Sequence, residues 1–254
     1  MSSEQASLQA FLGVSGLLFA ASTAGTIAWC ASMSATGGMP MPGGWTMSMA
    51  WMPGQSWASA AASFLGMWVV MMVAMMLPSL VPMLWRYRQA IGGIGATLVG
   101  VGYFAVWAAF GMAVFPLGVA LAAVEMQQLV LARAVPLAVG VVILLGGALQ
   151  LSAWKAHYLA CCRAAPRRGH PLPADTGTAW RHGLRLGLHC CYCCAGSTAV
   201  LLAIGVMDLR AMAVVTGAIT AERLAPDGER IARATGAVAV GAGLFLIART
   251  AGLG

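Results

Sequence analysis

Charged residues are so sparse in this chain that they divide it into segments. None occurs between Glu4 and Arg86, and further uncharged runs cover 89–124, 134–154 and 186–207. Each run supplies the roughly 20 apolar residues that cross a hydrocarbon layer, and the first is long enough to do so twice. The apolar residues are continuous rather than alternating, and a backbone in lipid must satisfy its own hydrogen bonds, so helices rather than barrel strands are predicted. The pattern places them at 7–30, 60–85, 94–123, 134–154 and 186–206. Two further apolar pieces, 211–221 and 234–248, are shorter than a full span. They need polar flanks, a thinner bilayer or a re-entrant path. The expected fold is all-α, one transmembrane domain over residues 1–254 with six to seven transmembrane helices.

The composition agrees, with 60% hydrophobic and 8% charged residues where soluble domains carry about 25% charged. The first apolar run is read as a retained helix and not a signal peptide, because the preceding MSSEQASLQ has no Lys or Arg. Basic residues set the orientation. Lys155, Arg163, Arg167, Arg168, Arg181 and Arg185 lie in one loop, 155–185, and Arg86 and Arg88 in a turn, whereas 33–58 has no charge. The first two connections are expected on the cytoplasmic side and the third outside, with a cytoplasmic N-terminus in a bacterial plasma (inner) membrane. The net charge of +7 is therefore a topology signal and gives no support to nucleic-acid binding. The bilayer is the expected partner, and a membrane-complex partner or a second copy of the chain stays open.

The candidate chemistry is sulfur. In LHCCYCCAG, residues 188–196, a helical advance of about 100° per residue puts Cys190, Cys193 and Cys194 on one face. His189 sits at the edge of that face, and Cys191 and Tyr192 turn away. Three thiols beside an imidazole suit Cu(I), with Zn(II) possible as the alternative ion. Simple packing is the competing reading, because Cys behaves as a small hydrophobe.

Methionine forms a second group, with 12 of 17 between residues 33 and 83. The uncharged outer loop carries Met33, Met39, Met41, Met47, Met49 and Met52, soft neutral donors that select Cu(I) over harder ions. In the second helix Met67, Met71 and Met75 make one stripe and Met72, Met76 and Met83 another, although gap-filling between helices explains such stripes equally well. Pro78 is expected to kink that helix and free a carbonyl near residue 74.

A third group lies in ALQLSAWKAHYLACCR. There His157 and Cys161 have the i, i+4 spacing of a ligand pair, and Cys162 is adjacent. Gln150 is expected to make an interhelical hydrogen bond. Lys155 and Arg163 are read as interface anchors. Asp208, Arg210, Glu222, Arg223, Asp227, Glu229 and Arg230 are read as caps and interfacial ion pairs, with Glu222 the one acid marked for a functional role. No phosphate loop, HExxH pair or GxSxG elbow is present, so the chain reads as a binding or transport protein rather than an enzyme.

With those residues in view, the chain resembles a bacterial family of unknown function labelled predicted metal-binding integral membrane proteins. The likeness runs from about residue 45 onward. It is carried by MWVVMMVAMMLPSLVPM, LQLSAWKAHYLACCR, GLRLGLHCCYCCAG, and GVMDLRAM with AERLAPDGERIARATG. The resemblance implies a compact multi-helix membrane domain that binds metal. It points to Met71, Met72, Met75, Met76, Pro78, Gln150, Lys155, Cys162, Cys190, Cys193, Cys194 and Glu222. The family usually has a Tyr before its first Cys and a Gly before its Cys pair, where this chain has His189 and Tyr192.

The leading expectation is a soft-metal protein acting in copper transport, copper delivery or assembly of a membrane cuproenzyme. A membrane thiol-disulfide oxidoreductase using the Cys190-x-x-Cys193 spacing is the alternative from another class. A structural accessory subunit, in which Cys and Met only pack, is the third.

Overall fold

The computed structural model describes residues 3–35, 39–40, 46–47, 56–163 and 175–252. Its helices are α1 (Ser3–Ala35), α2 (Trp57–Gln127), α3 (Leu129–Gln150), α4 (Ala153–Arg163), α5 (Thr176–Ile204), α6 (Leu209–Leu224) and α7 (Gly228–Thr250). Between α1 and α2, β1 (Met39–Pro40) and β2 (Thr46–Met47) form a two-residue antiparallel ladder. The rest of the Met-rich loop, including Met41, Met49 and Met52, lies outside the described residues, as does 164–174 of the basic loop.

At 71 residues α2 is far longer than one span, and it is a hairpin of two helical arms. Gly92 is the break, with φ 81° and ψ 176°, a backbone conformation that a side chain would strain. The arms, 57–91 and 93–127, then run antiparallel: Trp68 Nε1 donates to the Trp107 carbonyl at 2.9 Å, and the rings of Phe64 and Phe115 lie 5.2 Å apart. Within α2 only Gly92 leaves helical φ/ψ, so the chain stays helical through Pro78.

Helix boundaries differ from the expectation where charge was taken as an end signal. Helix α5 starts at Thr176, ten residues before the uncharged run, and Asp175 caps it by accepting the Thr178 N–H at 3.2 Å. Such a cap is worth about 1 kcal/mol, enough to fix a start inside a basic stretch. Helix α7 has 23 residues, a full span rather than the short piece expected from 234–248. Helix α6 stays short at 16 residues, capped by Asp208. Helix α3 stops at Gln150, and Ser152 restarts the chain as α4 by accepting the Lys155 N–H, so 150 and 157 do not share one straight helix.

Among the described residues, five helices are long and apolar enough to cross a membrane: α1, α2, α3, α5 and α7. The core lies where both arms of α2 meet α5 and α6, around Met71, Met72, Trp68, Tyr103, Leu201 and Ile219. Small residues let the backbones touch. A Cβ on Gly196 of α5 would lie 2.6 Å from the Gly146 carbonyl oxygen of α3, and one on Gly183 would strike the Val99 carbonyl. By contrast α1 and α7 expose apolar side chains outward, with Leu17 73% and Val238 74% accessible.

Candidate metal centre

The α5 thiols divide as the helical wheel requires. Cys190, Cys193 and Cys194 are buried, Cys191 is half-buried and Tyr192 is exposed. Because α5 lies in the angle of the α2 hairpin, the buried face meets Met76 on one arm and Tyr103 on the other. Cys190 Sγ is 3.8 Å from Cys194 Sγ and 4.0 Å from Met76 Sδ, and Tyr103 donates its hydroxyl to Cys190 at 2.9 Å. A single ion about 2.3 Å from each sulfur, at angles between tetrahedral and trigonal, holds sulfurs about 3.8–4.0 Å apart. The Cys190–Cys194 and Cys190–Met76 separations are each compatible with a shared soft cation. Cys193 and, from α4, Cys162 are buried in the same core.

Among the described residues no three His, Cys, Asp or Glu side chains gather closely enough to hold a metal ion. The further soft donor in contact with Cys190 is the Met76 thioether. Met71, Met72 and Met75 are buried in the same arm. His189 is displaced from the thiols: it is only half-buried, with its ring 6.0 Å from Tyr158. His157 and Cys161 form a separate, exposed pair on α4, with Cys161 Sγ 3.8 Å from His157 Nε2. The expected residues thus fall into a buried sulfur group and a rim group.

Beside the sulfurs lies a buried charged layer. Glu222 of α6 is 1% exposed and receives Lys155 Nζ of α4 at 2.6 Å. Its other oxygen accepts from Gln150 of α3 at 3.0 Å and from Thr235 of α7 at 2.9 Å. Lys155 also donates to the Cys193 carbonyl at 2.9 Å, and Gln150 to Ser197 at 3.0 Å. Four helices therefore meet at one carboxylate, and Lys155 is a buried tie between the α5 backbone and the acid rather than the interface anchor expected from sequence. Burial opposes its ammonium, but the Cys194 and Cys193 sulfurs when ionised, and the Glu222 carboxylate, outweigh that and hold the amine above its ordinary value. Arg163 donates to the carbonyls of Ala225 and Pro226 in the α6–α7 connection. Asp227–Arg230 and Glu229–Arg233 are exposed ion pairs.

The sequence reading missed several participants. Tyr103 carried no signal beyond being aromatic in an apolar run. Arg223 was read as a cap or interfacial ion-pair residue and is instead buried, where its NH1 donates to Ser79 Oγ at 3.0 Å and to Tyr103 at 3.4 Å. Cys30 and Met207 were also missed; they bring their sulfurs to 3.8 Å beside a surface cleft of about 440 Å³.

No curated protein and no solved structure is similar enough to match the chain. A family model does match it, over residues 65–246, which hold both arms of α2 from Leu65 onward, the thiol face, and the charged layer. By that match, which covers most of its length, the chain belongs to the PpoB2 copper chaperone family.

Proposed function

We propose that the chain is a membrane-embedded copper carrier that holds Cu(I) as cargo at Cys190, Cys194 and Met76 and delivers it to an acceptor. The observation that carries this reading is the burial of two thiols and a thioether at sulfur separations of 3.8 and 4.0 Å. Two thiolates and one thioether make a soft, low-coordinate set, which suits Cu(I). Zn(II) prefers four donors from thiolate, imidazole and carboxylate, and the described residues offer no such gathering. The thiol pair gives up protons on binding, so the cargo is held more tightly as pH rises.

In this reading α1, both arms of α2, α3, α5, α6 and α7 make seven passes, with a cytoplasmic N-terminus and the basic connection after α4 on the cytoplasmic side. Helix α6 is the short pass, rising about 24 Å. The exposed apolar faces of α1 and α7 then lie against lipid.

The test is metal content. The full chain is purified in detergent under reducing, anaerobic conditions, loaded with Cu(I), and its copper and zinc are counted by mass spectrometry. The same is done for a Cys190→Ser/Cys194→Ser variant. About one copper per chain, absent from the folded variant, is the expected result. Equal copper in both, or none in either, rejects the site.

A further inference from the structure

Arg223 is an unusual cation. Its side chain lies in the core, 8% exposed, and its Nε has no hydrogen-bond partner. The ion pairs among the described residues are Lys155–Glu222, Arg230–Asp227 and Arg233–Glu229, so no described carboxylate balances it. Its NH1 reaches Ser79 and, through the Tyr103 hydroxyl, Cys190. Arginine does not deprotonate in proteins, and a buried cation without an anion is costly. Lys155 and Glu222 cancel each other. The interior with all thiols protonated therefore carries one excess positive charge, and it is placed one hydroxyl away from the sulfur pair.

A monovalent ion removes that excess. Cu(I) bound with loss of two thiol protons to the solvent forms a dithiolate centre of charge −1; no electron moves, and the Met76 thioether adds no charge. A divalent ion on the same two thiolates gives a neutral centre and leaves Arg223 unbalanced. We propose that Arg223 is a specificity-determining counter-charge, which makes the Cys190–Cys194 site selective for monovalent over divalent soft metals. This rests on the copper-carrier reading above. Arg223 acts on the cargo through charge, relayed by Tyr103, without ligating it.

Ag(I) and Hg(II) separate charge from shape, because both are soft, redox-stable under the assay conditions, and bound by thiolate pairs. Competition titrations on the full chain in detergent give the affinity of the buried pair, defined as the binding that the Cys190→Ser/Cys194→Ser variant lacks. Arg223→Gln is expected to weaken Ag(I) by about thirtyfold, with Hg(II) held within about threefold. Arg223→Lys keeps the charge and is expected to restore most of the Ag(I) affinity. Ser79→Asp offers a second route that keeps the arginine, since a carboxylate at the atom 3.0 Å from NH1 pairs the guanidinium in place. It is expected to lose Ag(I) selectively too, so the proposal stands or falls even where Arg223→Gln does not fold. Equal loss of both ions, or unchanged Ag(I) in the folded variants, overturns the counter-charge role. A wild-type chain whose cysteine pair takes neither ion overturns the copper-carrier reading instead.

Discussion

Cys190–Cys194 and His157–Cys161 are both i, i+4 pairs, and their donor atoms are both 3.8 Å apart. The helix brings such donors within reach of each other, since residues four apart sit one above the other on its face. Everything else about the two differs. Around Cys190 and Cys194 the α2 hairpin adds a thioether and a tyrosine, α6 adds a guanidinium, and the sulfurs are at most 1% exposed. Around His157 and Cys161 there are aromatic rings and an open rim. Helical spacing makes a pair of donors; tertiary packing decides whether the pair becomes a site with a third donor, a low dielectric and a counter-charge.

The comparison breaks most visibly if the charged layer that supports the buried pair is cut. Lys155→Met leaves the Glu222 carboxylate in the core without its cation, and is expected to destabilise the chain by about 3–5 kcal/mol. Lys155→Met with Glu222→Gln removes both charges and is expected to recover most of that loss. Unfolding of the detergent-solubilised chain, followed by circular dichroism, measures both. A single variant as stable as wild type would mean that Lys155 and Glu222 do not hold α4 to α6.

A smaller effect separates the third donor from its neighbours. Met76→Leu conserves volume and is expected to cost under about 1.5 kcal/mol of stability. The same change is expected to weaken Cu(I) by about tenfold, because it deletes a soft donor and nothing charged. Met67→Leu, nine residues earlier in the same arm and also buried, is the control and is expected to leave Cu(I) binding unchanged. Identical behaviour of the two variants would reduce the Met76 contact to packing.

How much of this was readable in the sequence follows the same division. The uncharged runs disclosed the helices, and the wheel disclosed which α5 thiols share a face, because both are local. Helix ends were misjudged wherever charge sits inside a helix. Arg86 and Arg88 lie within α2, Arg181 and Arg185 within α5, and Glu222 and Arg223 within α6. A helix needs only its backbone bonds and a cap, so charge marks its depth and not its end. The partners of Cys190 were invisible for another reason: Tyr103 is 87 residues away and Met76 is 114 away, and no periodicity within one helix reports such contacts. Gln150 was correctly read as an interhelical bond, but its acceptors on α5 and α6 came only with the fold.

The smallest expected effect is the sharpest test of the comparison. His157→Ala with Cys161→Ser removes a donor pair of the same helical spacing and the same separation as the buried one. If spacing were enough, this double variant would lose metal as Cys190→Ser/Cys194→Ser is expected to. The rim pair, however, has no described third donor of its own and remains open to water, which competes for the ion and screens any nearby charge. Equilibrium copper per chain and Cu(I) affinity are therefore expected to match wild type within about threefold. His189 approaches the same rim near Tyr158, and His189→Ala is expected to be equally silent at equilibrium. A rate measurement completes the test: slower Cu(I) loading in these variants, with unchanged final affinity, would assign the rim to passing copper toward or away from the buried sulfurs. Unchanged rate as well as affinity would leave it a surface feature of α4.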